Sequence, residues 1–250
     1  MNMDTINQLR ELNHQFYQTF AIPFSRTRGK IQPGVRSLMP ELLGRHSILD
    51  LGCGNGEFAH ELYRQGYKGA YLGLDFSDEL LEIANADWDS DTHQSQTLTR
   101  FIQADISQYG WLDKIEWDCD TVVAFAVFHH LPGYQTRRDV LNDVRQILTR
   151  STLKNFPRRL YFSVWQFLNS VRQRKRIRPW SAVGIDPQDV EENDYLLDWR
   201  EGGLGFRYVH HFTKEELKRL AEETGFEIIQ SFYSDGKEGN LGLYQVWDLR

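Results

Sequence analysis

The chain has 250 residues, of which 40% are hydrophobic and 26% charged, with a formal net charge of −6. This apolar content can fill a sizeable core, which excludes a chain disordered over most of its length. No run approaches the roughly 20 apolar residues that span a bilayer, and the N-terminus lacks the features of a signal peptide, so we expect no membrane association. Two cysteines, Cys53 and Cys119, are too few for a disulfide scaffold. We expect free thiols, no metal site and a reducing, cytoplasmic compartment.

The first 46 residues are predicted to form a cap of helix and loop. Apolar side chains at helical spacing predict an amphipathic helix over residues 4–20. Two prolines and two glycines favour a loop over residues 21–34. A second helix is expected near residues 35–43.

Residues 47–165 alternate between predicted strands and predicted helices. The strands are expected at residues 47–51, 70–74, 97–102, 121–127 and 159–165. The helices are expected at residues 56–65, 77–86 and 135–149, with Ser77 as an N-cap. This alternation predicts a doubly wound α/β fold, in which helices cover both faces of a mostly parallel sheet.

The last third of the chain is less regular. We expect residues 166–206 to be an insert without a clear pattern. The capping box Thr213-x-x-Glu216 predicts the start of a helix, and Gly225 predicts its end. Strands over residues 226–233 and 241–249 then complete a sheet of seven strands. One of this final pair should run antiparallel to the others, and we expect residues 207–250 to join the same single domain.

The strongest chemical signal is the glycine-rich turn after the first predicted strand. It reads Asp50-Leu51-Gly52-Cys53-Gly54-Asn55-Gly56. Glycines at alternate positions let the backbone turn sharply and let a ligand approach it closely. The helix that follows presents free N–H groups. The spacing G-x-G-x-G differs from the G-x-G-x-x-G of dinucleotide sites.

Two more acids follow the next two predicted strands. Asp75 lies 19 residues beyond Gly56, and its two oxygens suit the two hydroxyls of a ribose. Asp105, beside the apolar Ile106, suits the amine and the ring face of an adenine. Each signal alone would often be a structural turn or a surface acid. Together, on three successive strand ends, they predict one ligand site.

These residues closely resemble the class I S-adenosylmethionine-dependent methyltransferases, over about residues 47–149. The resemblance implies that the glycine-rich turn holds the methionine part of the cofactor, and that residues 47–165 form the cofactor-binding core. The Asn/Asp-Pro-Pro-aromatic signature of exocyclic-amine methylation is absent at the fourth strand. The implied cofactor-binding residues are Asp50, Gly52, Cys53, Gly54, Asn55, Gly56, Asp75, Phe76, Ser77, Asp105, Ile106, Phe125 and Ala126.

A narrower resemblance rests on motifs outside this core. They are Phe24-Ser25-Arg26-Thr27-Arg28, Ala126-Val127-Phe128-His129-His130, Thr136-Arg137-Arg138, Ser163-Val164-Trp165-Gln166, Asp194–Trp199, Arg207–Phe212 and Gln230–Gly236. In this order they are similar to the eukaryotic family that esterifies 5-carboxymethyluridine at the wobble position of transfer RNA. That resemblance implies tRNA as a partner and a small zinc-binding protein that supports activity. The chain departs from the family at Asp198, where a proline is usual, and over residues 172–192.

The chemistry of a carboxylate acceptor suggests roles for several side chains. A carboxylate is already a nucleophile at pH 7, so the enzyme must position it rather than deprotonate it. A cation should hold it, and Arg26, Arg28 and Arg207 are the candidates. His129 could be a general base or a packed polar residue. We group His129, Arg207 and Arg26 as the catalytic candidates.

Other side chains are candidate substrate contacts. Tyr208 and His210 are expected to form walls of the site. Trp165 and Trp199 could stack on an extruded base, although packing in the core is as plausible for either. Each of these assignments follows from the narrower resemblance.

Charge is distributed unevenly along the chain. Residues 144–185 contain ten bases and no acid, whereas residues 186–201 contain seven acids and one base. The basic stretch is expected to grip RNA phosphates, unless it is simply a solvated face or is neutralised by the acidic run. The bases expected to contact substrate are Arg172, Arg174, Lys175 and Arg176.

Two alternative functions stay open at this point. One is a small-molecule O- or N-methyltransferase that uses the insert at residues 166–206 as a lid. The other is a catalytically silent subunit that binds the cofactor and supports a partner. The intact turn over residues 50–56 argues against a silent subunit.

Overall fold

The computed structural model describes residues 1–27, 30–90, 98–153 and 155–250. Helix α1 spans Met3–Thr27 and is kinked at Phe20, where the backbone is not helical (φ −114°, ψ 18°). The helix therefore continues into the segment predicted to be a loop. Pro23 is tolerated because it lies in the first turn after the kink, where backbone N–H groups lack helical partners.

The remaining elements follow in chain order. The strands are β1 (Ser47–Leu51), β2 (Ala70–Asp75), β3 (Thr99–Gln103), β4 (Thr121–Phe125), β5 (Arg159–Trp165), β6 (Ile177–Arg178), β7 (Asp194–Trp199), β8 (Gly205–His210), β9 (Phe226–Ser234) and β10 (Gly242–Leu249). The helices are α2 (Pro33–Leu42), α3 (Glu57–Arg64), α4 (Asp78–Ser90), α5 (Tyr134–Arg150), α6 (Val171–Arg174) and α7 (Lys214–Glu223).

The central sheet has seven strands in the order β3-β2-β1-β4-β5-β10-β9. Strand β10 is antiparallel to both of its neighbours, and the other pairs are parallel. Both predictions, a mostly parallel sheet and one reversed strand near the C-terminus, are confirmed. Strand β4 is shorter than predicted because Ala126 has a left-handed φ of 60°, which ends the extended backbone.

Two buried clusters cover the two faces of this sheet. Apolar side chains of α5 and α7 pack on one face, and those of α2 and α3 pack on the other. Adjacent residues of one strand belong to different clusters, as Ile48 and Leu49 of β1 do. Strands buried on both faces explain why they read as continuous apolar runs in the sequence.

A second, three-stranded antiparallel sheet in the order β6-β7-β8 occupies much of the predicted insert. Residues 166–206 were predicted to be an irregular insert. The predicted end of this insert, at residue 206, lies inside β8. Leu9 of α1 packs with Leu196 and Tyr208, so this sheet and the N-terminal helix share a core. Both faces of β8 are buried toward its end, which removes the alternation that identifies a strand.

Helix ends agree with the capping residues. The Leu80 N–H donates to Oγ of Ser77 at 3.3 Å, which confirms the predicted N-cap of α4. Thr213 caps α7 in the same way, and Gly225 follows the helix with a φ of 76°. Among the described helices, none has both the length and the apolar character needed to cross a membrane.

Candidate functional site

The turn between β1 and α3 requires its three glycines. All have left-handed φ values: 72° at Gly52, 56° at Gly54 and 76° at Gly56. A Cβ at Gly52 would lie 2.5 Å from Val127, whereas a Cβ at Gly54 would meet no atom within 4 Å. Gly54 therefore presents bare backbone to open space, as expected where a ligand approaches closely.

Two adjoining cavities open at the carboxyl ends of the central strands. The first cavity, of about 220 Å³, lies between α1 and the ends of β1, β2, β3 and β4. The second cavity, of about 310 Å³, lies between the segment before α2 and the ends of β5 and β10. The residues that line both are Gly52, Cys53, Asn55, Phe125 and Ala126.

Strand register brings the glycine turn beside Asp75. Leu51 pairs with Leu74, so the residues that follow β1 lie next to the end of β2. One oxygen of Asp75 accepts from the Gly54 N–H at 2.9 Å, and the other accepts from the Ser77 N–H at 3.0 Å. Burial raises the pKa of this carboxyl. The backbone N–H of Phe76 also interacts with this carboxyl group, so the turn after β2 holds Asp75 through three backbone donors.

Asp50 lies at the second cavity and is almost completely buried. Its carboxylate accepts a hydrogen bond from the hydroxyl of Tyr71. Burial raises the pKa of Asp50 to about 7, so the group is poised between its two forms near neutral pH. A ligand cation beside it would favour the ionised form.

Asp105 lines the first cavity in the turn after β3. Although burial opposes it, hydrogen bonds from His14 and Ser107 lower the pKa of Asp105 to about 2. Gln108 donates to the same carboxylate at 2.8 Å. The predicted adenine contact is therefore ionised, and its acceptor sites are already engaged by protein donors.

The histidine pair after β4 has its proton positions defined by its neighbours. The backbone N–H of Trp165 donates to Nδ1 of His129 at 3.2 Å, so a neutral His129 carries its proton on Nε2. Nδ1 of His130 lies 3.1 Å from the carbonyl oxygen of Tyr208 and must donate to it. Nε2 of His130 then accepts from the Tyr17 hydroxyl at 2.7 Å. His129 lines the second cavity and His130 the first.

Arg207 is buried among three aromatic rings, with 4% of its surface exposed. Its guanidinium carbon lies 5.3 Å from the ring centroid of Phe16, 5.0 Å from that of Trp165 and 5.6 Å from that of Trp199. Trp165 lines the second cavity, whereas Arg207 itself lines neither cavity and lies behind the ring of Trp165. Cation–π contacts of this kind hold a guanidinium in place.

Three predicted substrate contacts prove to be buried parts of the fold. Trp199 is 6% exposed and donates its indole N–H to the carbonyl of Glu201, so its ring faces are covered by packing. The hydroxyl of Tyr208 donates to Asp194 at 2.7 Å. His210 bridges Asp194 and Glu216 at 2.7 and 2.8 Å. These side chains connect β7, β8 and α7 and line neither of the two cavities.

Two predicted arginines fall outside what the structure describes. Arg28 is outside the described residues, and Arg26 belongs to α1 with its side chain outside them. Their expected roles stay predictions.

The basic segment is largely free of acidic neighbours. Among ion pairs of the described residues, Arg178 pairs with Asp198, while two other acids of the run pair with the buried Arg137 and His210. The acidic run therefore does not neutralise the rest of the segment. Within residues 144–185, the described bases that take part in no ion pair are Arg145, Arg150, Arg158, Arg172, Arg174, Lys175 and Arg176. Of the four predicted to contact substrate, Arg172, Arg174 and Lys175 are exposed.

Helix α1 contributes site residues that the sequence analysis missed. Its side chains in the wall of the first cavity are Arg10, Asn13, His14 and Tyr17. Asn13 is buried and bonds the backbone N–H and C=O of Tyr208 at 2.8 and 3.3 Å. A polar residue inside the apolar stripe of an amphipathic helix was the available signal, since a buried amide needs partners.

Comparisons with known proteins agree with this geometry. The family described as "Methyltransferase domain" matches residues 24–231. A candidate methyltransferase of Encephalitozoon cuniculi, ECU09_1500, is 29% identical over 86% of this chain and 87% of its own length. The tRNA (carboxymethyluridine(34)-5-O)-methyltransferase of Schizosaccharomyces pombe is 26% identical over 89% of this chain and 92% of its own.

A solved structure shares the fold. An S-adenosylmethionine-dependent methyltransferase from Methanosarcina mazei has a TM-score of 0.63 and 23% identity over 88% of this chain and 98% of its own. In this chain, the seven-stranded sheet carries the glycine turn and the strand-end acids at the same edge as both cavities. The chain therefore belongs to the methyltransferase domain family and is an enzyme that uses S-adenosylmethionine.

Proposed function

We propose that this methyltransferase esterifies a carboxylate on the wobble uridine of tRNA. The observation that carries the proposal is the hydrogen bond from the Trp165 N–H to Nδ1 of His129, because it makes a neutral His129 a donor at Nε2. A carboxylate needs donors and cations around it, and it needs no base to remove a proton. The relative from S. pombe, whose name specifies carboxymethyluridine at position 34, supports the same acceptor.

The first cavity and its surroundings suit the cofactor. When bound, S-adenosylmethionine supplies a methyl group on a positively charged sulfur. In the proposal, the carboxylate of Asp75 accepts from the ribose hydroxyls, and Gly54 lets the ligand approach the backbone. Asp50 faces the cofactor's amino group, where its raised pKa lets it ionise beside a cation. Asp105 and Ile106 contact the adenine.

The second cavity suits the acceptor. In the proposal, Nε2 of His129 donates to the acceptor carboxylate, and Arg207 beside Trp165 supplies the positive charge that orients it. Lys30 also lines this cavity and adds a second cation. Holding the carboxylate in line with the methyl group is the main task of these side chains, since the oxygen is already nucleophilic.

The basic segment supports RNA as the carrier of this carboxylate. Trp165 lines the second cavity at the end of β5, and the exposed bases begin seven residues later at Arg172. Cations close to the acceptor end can hold the phosphates that flank a target nucleotide. A protein with a net charge of −6 needs such a local concentration of bases to bind RNA.

A small-molecule acceptor is the second candidate function. The second cavity, at about 310 Å³, has the size of a small-ligand site, and the insert could cover it. A silent cofactor-binding subunit is the third. An activating partner protein, expected from the eukaryotic resemblance, stays a prediction.

The test uses tRNA that carries 5-carboxymethyluridine and S-adenosylmethionine labelled in its methyl group. We expect the label to enter this tRNA and to leave as methanol in mild alkali, because an ester hydrolyses there and an N-methyl or ether group does not. The same tRNA with an unmodified wobble uridine is the matched control and should take up no label.

Two results would contradict the proposal. Alkali-stable label would indicate a nitrogen or ether acceptor. No label in either tRNA, although the protein binds S-adenosylhomocysteine, would favour the small-molecule enzyme or the silent subunit.

A further inference from the structure

The wall of the first cavity includes a side chain that makes the contacts expected of an adenine. The ring of His14, from α1, stacks on Phe76 with centroids 4.4 Å apart and planes inclined by 16°. Its Nε2 lies 3.0 Å from Oδ2 of Asp105. His14 is thus a flat nitrogen heterocycle that stacks on an aromatic ring and donates to a carboxylate. An adenine with its exocyclic amine would use the same two contacts.

The acceptor sites of Asp105 are fully used by described residues. Oδ1 accepts from the N–H and the hydroxyl of Ser107 at 2.9 and 2.7 Å. Oδ2 accepts from Gln108 at 2.8 Å and from His14. An ionised carboxylate offers about four lone-pair sites, so a further donor must displace one of these groups. Ser107 and Gln108 belong to the same turn as Asp105, whereas His14 comes from a separate helix.

We propose that His14 occupies the adenine subsite of the cofactor-free protein and is displaced when S-adenosylmethionine binds. The proposal rests on the assignment of Asp105 to adenine, which is part of the proposed function. Helix α1 then competes with the cofactor for one carboxylate, and it sets the affinity of the site without touching the reacting atoms.

The charges around His14 predict how this competition depends on pH. Asp105 faces the ring from the turn after β3, and Glu11 and Arg10 flank it on α1. The pKa of His14 is raised, mainly because its ring hydrogen-bonds to Asp105. Asp105 has a pKa of about 2, so it stays ionised near neutral pH. Protonation of His14 strengthens its contact with Asp105. Cofactor affinity should therefore fall as the pH falls through the pKa of His14.

A direct test is an NMR titration of the His14 ring in the full chain, with and without saturating S-adenosylhomocysteine. We expect the pKa of His14 to be raised in the free protein and to return toward about 6.5 when the ligand is bound. A pKa and chemical shift that stay the same on saturation would overturn the proposal. Failure to bind the ligand at all would overturn the cofactor site and this proposal with it. Neither result depends on tRNA.

Calorimetry of variants gives an independent test. At pH 6, His14→Ala should bind S-adenosylhomocysteine about fivefold more tightly than the natural protein, because one partly exposed ion pair no longer competes with the ligand. At pH 8.5 the gain in affinity should be smaller. His14→Phe keeps a ring against Phe76 without the donor and should give an intermediate gain. His60→Ala, on α3 and outside both cavities, is the control. Weaker binding by His14→Ala would overturn the proposal and make His14 a supporting wall of the site.

Discussion

Three aspartates at successive strand ends have different acidities because their surroundings differ. Burial beside a single hydroxyl donor raises the pKa of Asp50 to about 7. Asp105 has several donors and a histidine partner, and its pKa is about 2. Burial raises the pKa of Asp75, although backbone hydrogen bonds from Ser77, Gly54 and Phe76 oppose the rise. Under the proposed function, these three acidities serve three parts of one ligand.

Asp75→Asn tests the ribose contact. Asparagine keeps the size of the side chain and one acceptor oxygen, but it loses the charge. A hydrogen bond to a charged group contributes about 1.5 to 3 kcal/mol, so we expect affinity for S-adenosylhomocysteine to fall by at least about tenfold. Calorimetry measures this. Asp113→Asn, at an exposed position, is the control, and unchanged binding by Asp75→Asn would show that the carboxylate has only a structural role.

Asp50→Asn tests the cost of a buried carboxylate. The folded protein holds the Asp50 proton more tightly than the unfolded chain, whose reference pKa is 3.8, so this group lowers the free energy of unfolding as the pH rises from about 4 to about 7. The variant should be more stable than the natural protein at pH 8, by about 4 kcal/mol at most, and nearly equal to it below pH 4. Urea unfolding at the two pH values measures the difference. If the difference in the free energy of unfolding between the two proteins is the same at both pH values, the pKa of Asp50 is not raised.

At the scale of elements, α1 contacts the small sheet through a shared apolar core and through the side-chain amide of Asn13. Asn13 bonds both backbone groups of Tyr208 in the middle of β8. Because the same helix forms one wall of the first cavity, we expect loss of this contact to weaken ligand binding there. The kink at Phe20 then changes the direction of the helix before the segment that leads to α2.

Asn13→Ala tests this attachment. It leaves the buried N–H of Tyr208 without a side-chain partner, at a cost of about 1 to 3 kcal/mol, whereas the C=O of Tyr208 keeps its hydrogen bond from Nδ1 of His130. We expect lower stability in urea and weaker binding of S-adenosylhomocysteine in the same variant. Gln8→Ala, on the exposed side of α1, should change stability by no more than about 0.5 kcal/mol. Full stability of Asn13→Ala would indicate that water replaces the amide.

The sequence predicts the elements better than their assembly. The glycine turn, Ser77 and the strand-end acids were identifiable because their chemistry depends on local spacing. The buried hydrogen bonds of Tyr208 and His210 could not be predicted, because their partners, Asp194 and Glu216, come from other elements, and only the fold brings them together. The small sheet was missed for the same reason, since its burial depends on α1.

At the scale of the whole molecule, the negative net charge conceals a segment that is strongly positive. Residues 144–185 carry ten bases and no acid within a chain whose net charge is −6. Under the proposed function, electrostatic attraction to this segment would orient RNA before any base is read. We therefore expect RNA binding to be separable from cofactor binding.

Replacing Arg172, Arg174, Lys175 and Arg176 by Ala tests that separation. Each lost phosphate contact should reduce the slope of log affinity against log salt by about 0.7 on single-stranded RNA. The Michaelis constant for tRNA should rise more than turnover falls, because these contacts are alike in ground and transition states. Affinity for S-adenosylhomocysteine should stay unchanged.

The control for this variant removes the same number of exposed bases elsewhere, at Lys68, Arg100, Lys114 and Lys218. It matches the change in net charge but should leave the salt slope as it is. Equal effects of the two variants would mean that total charge, and not this segment, attracts the RNA. If the slope of log affinity against log salt stays unchanged in both variants, the result would favour the small-molecule acceptor.

The reversed strand β10 has a consequence for how such enzymes diversify. Because β10 runs against its neighbours, the turn between β9 and β10 lies at the site edge of the sheet, and Asp235, Leu241 and Gly242 line the second cavity. The connection over residues 235–241 is a surface loop, which tolerates changes in length that a strand does not. Insertions or deletions there would reshape the second cavity and leave the lining of the first cavity intact. Under the proposed function, in which the second cavity holds the acceptor, one reversed strand thus lets acceptor choice evolve independently of cofactor use.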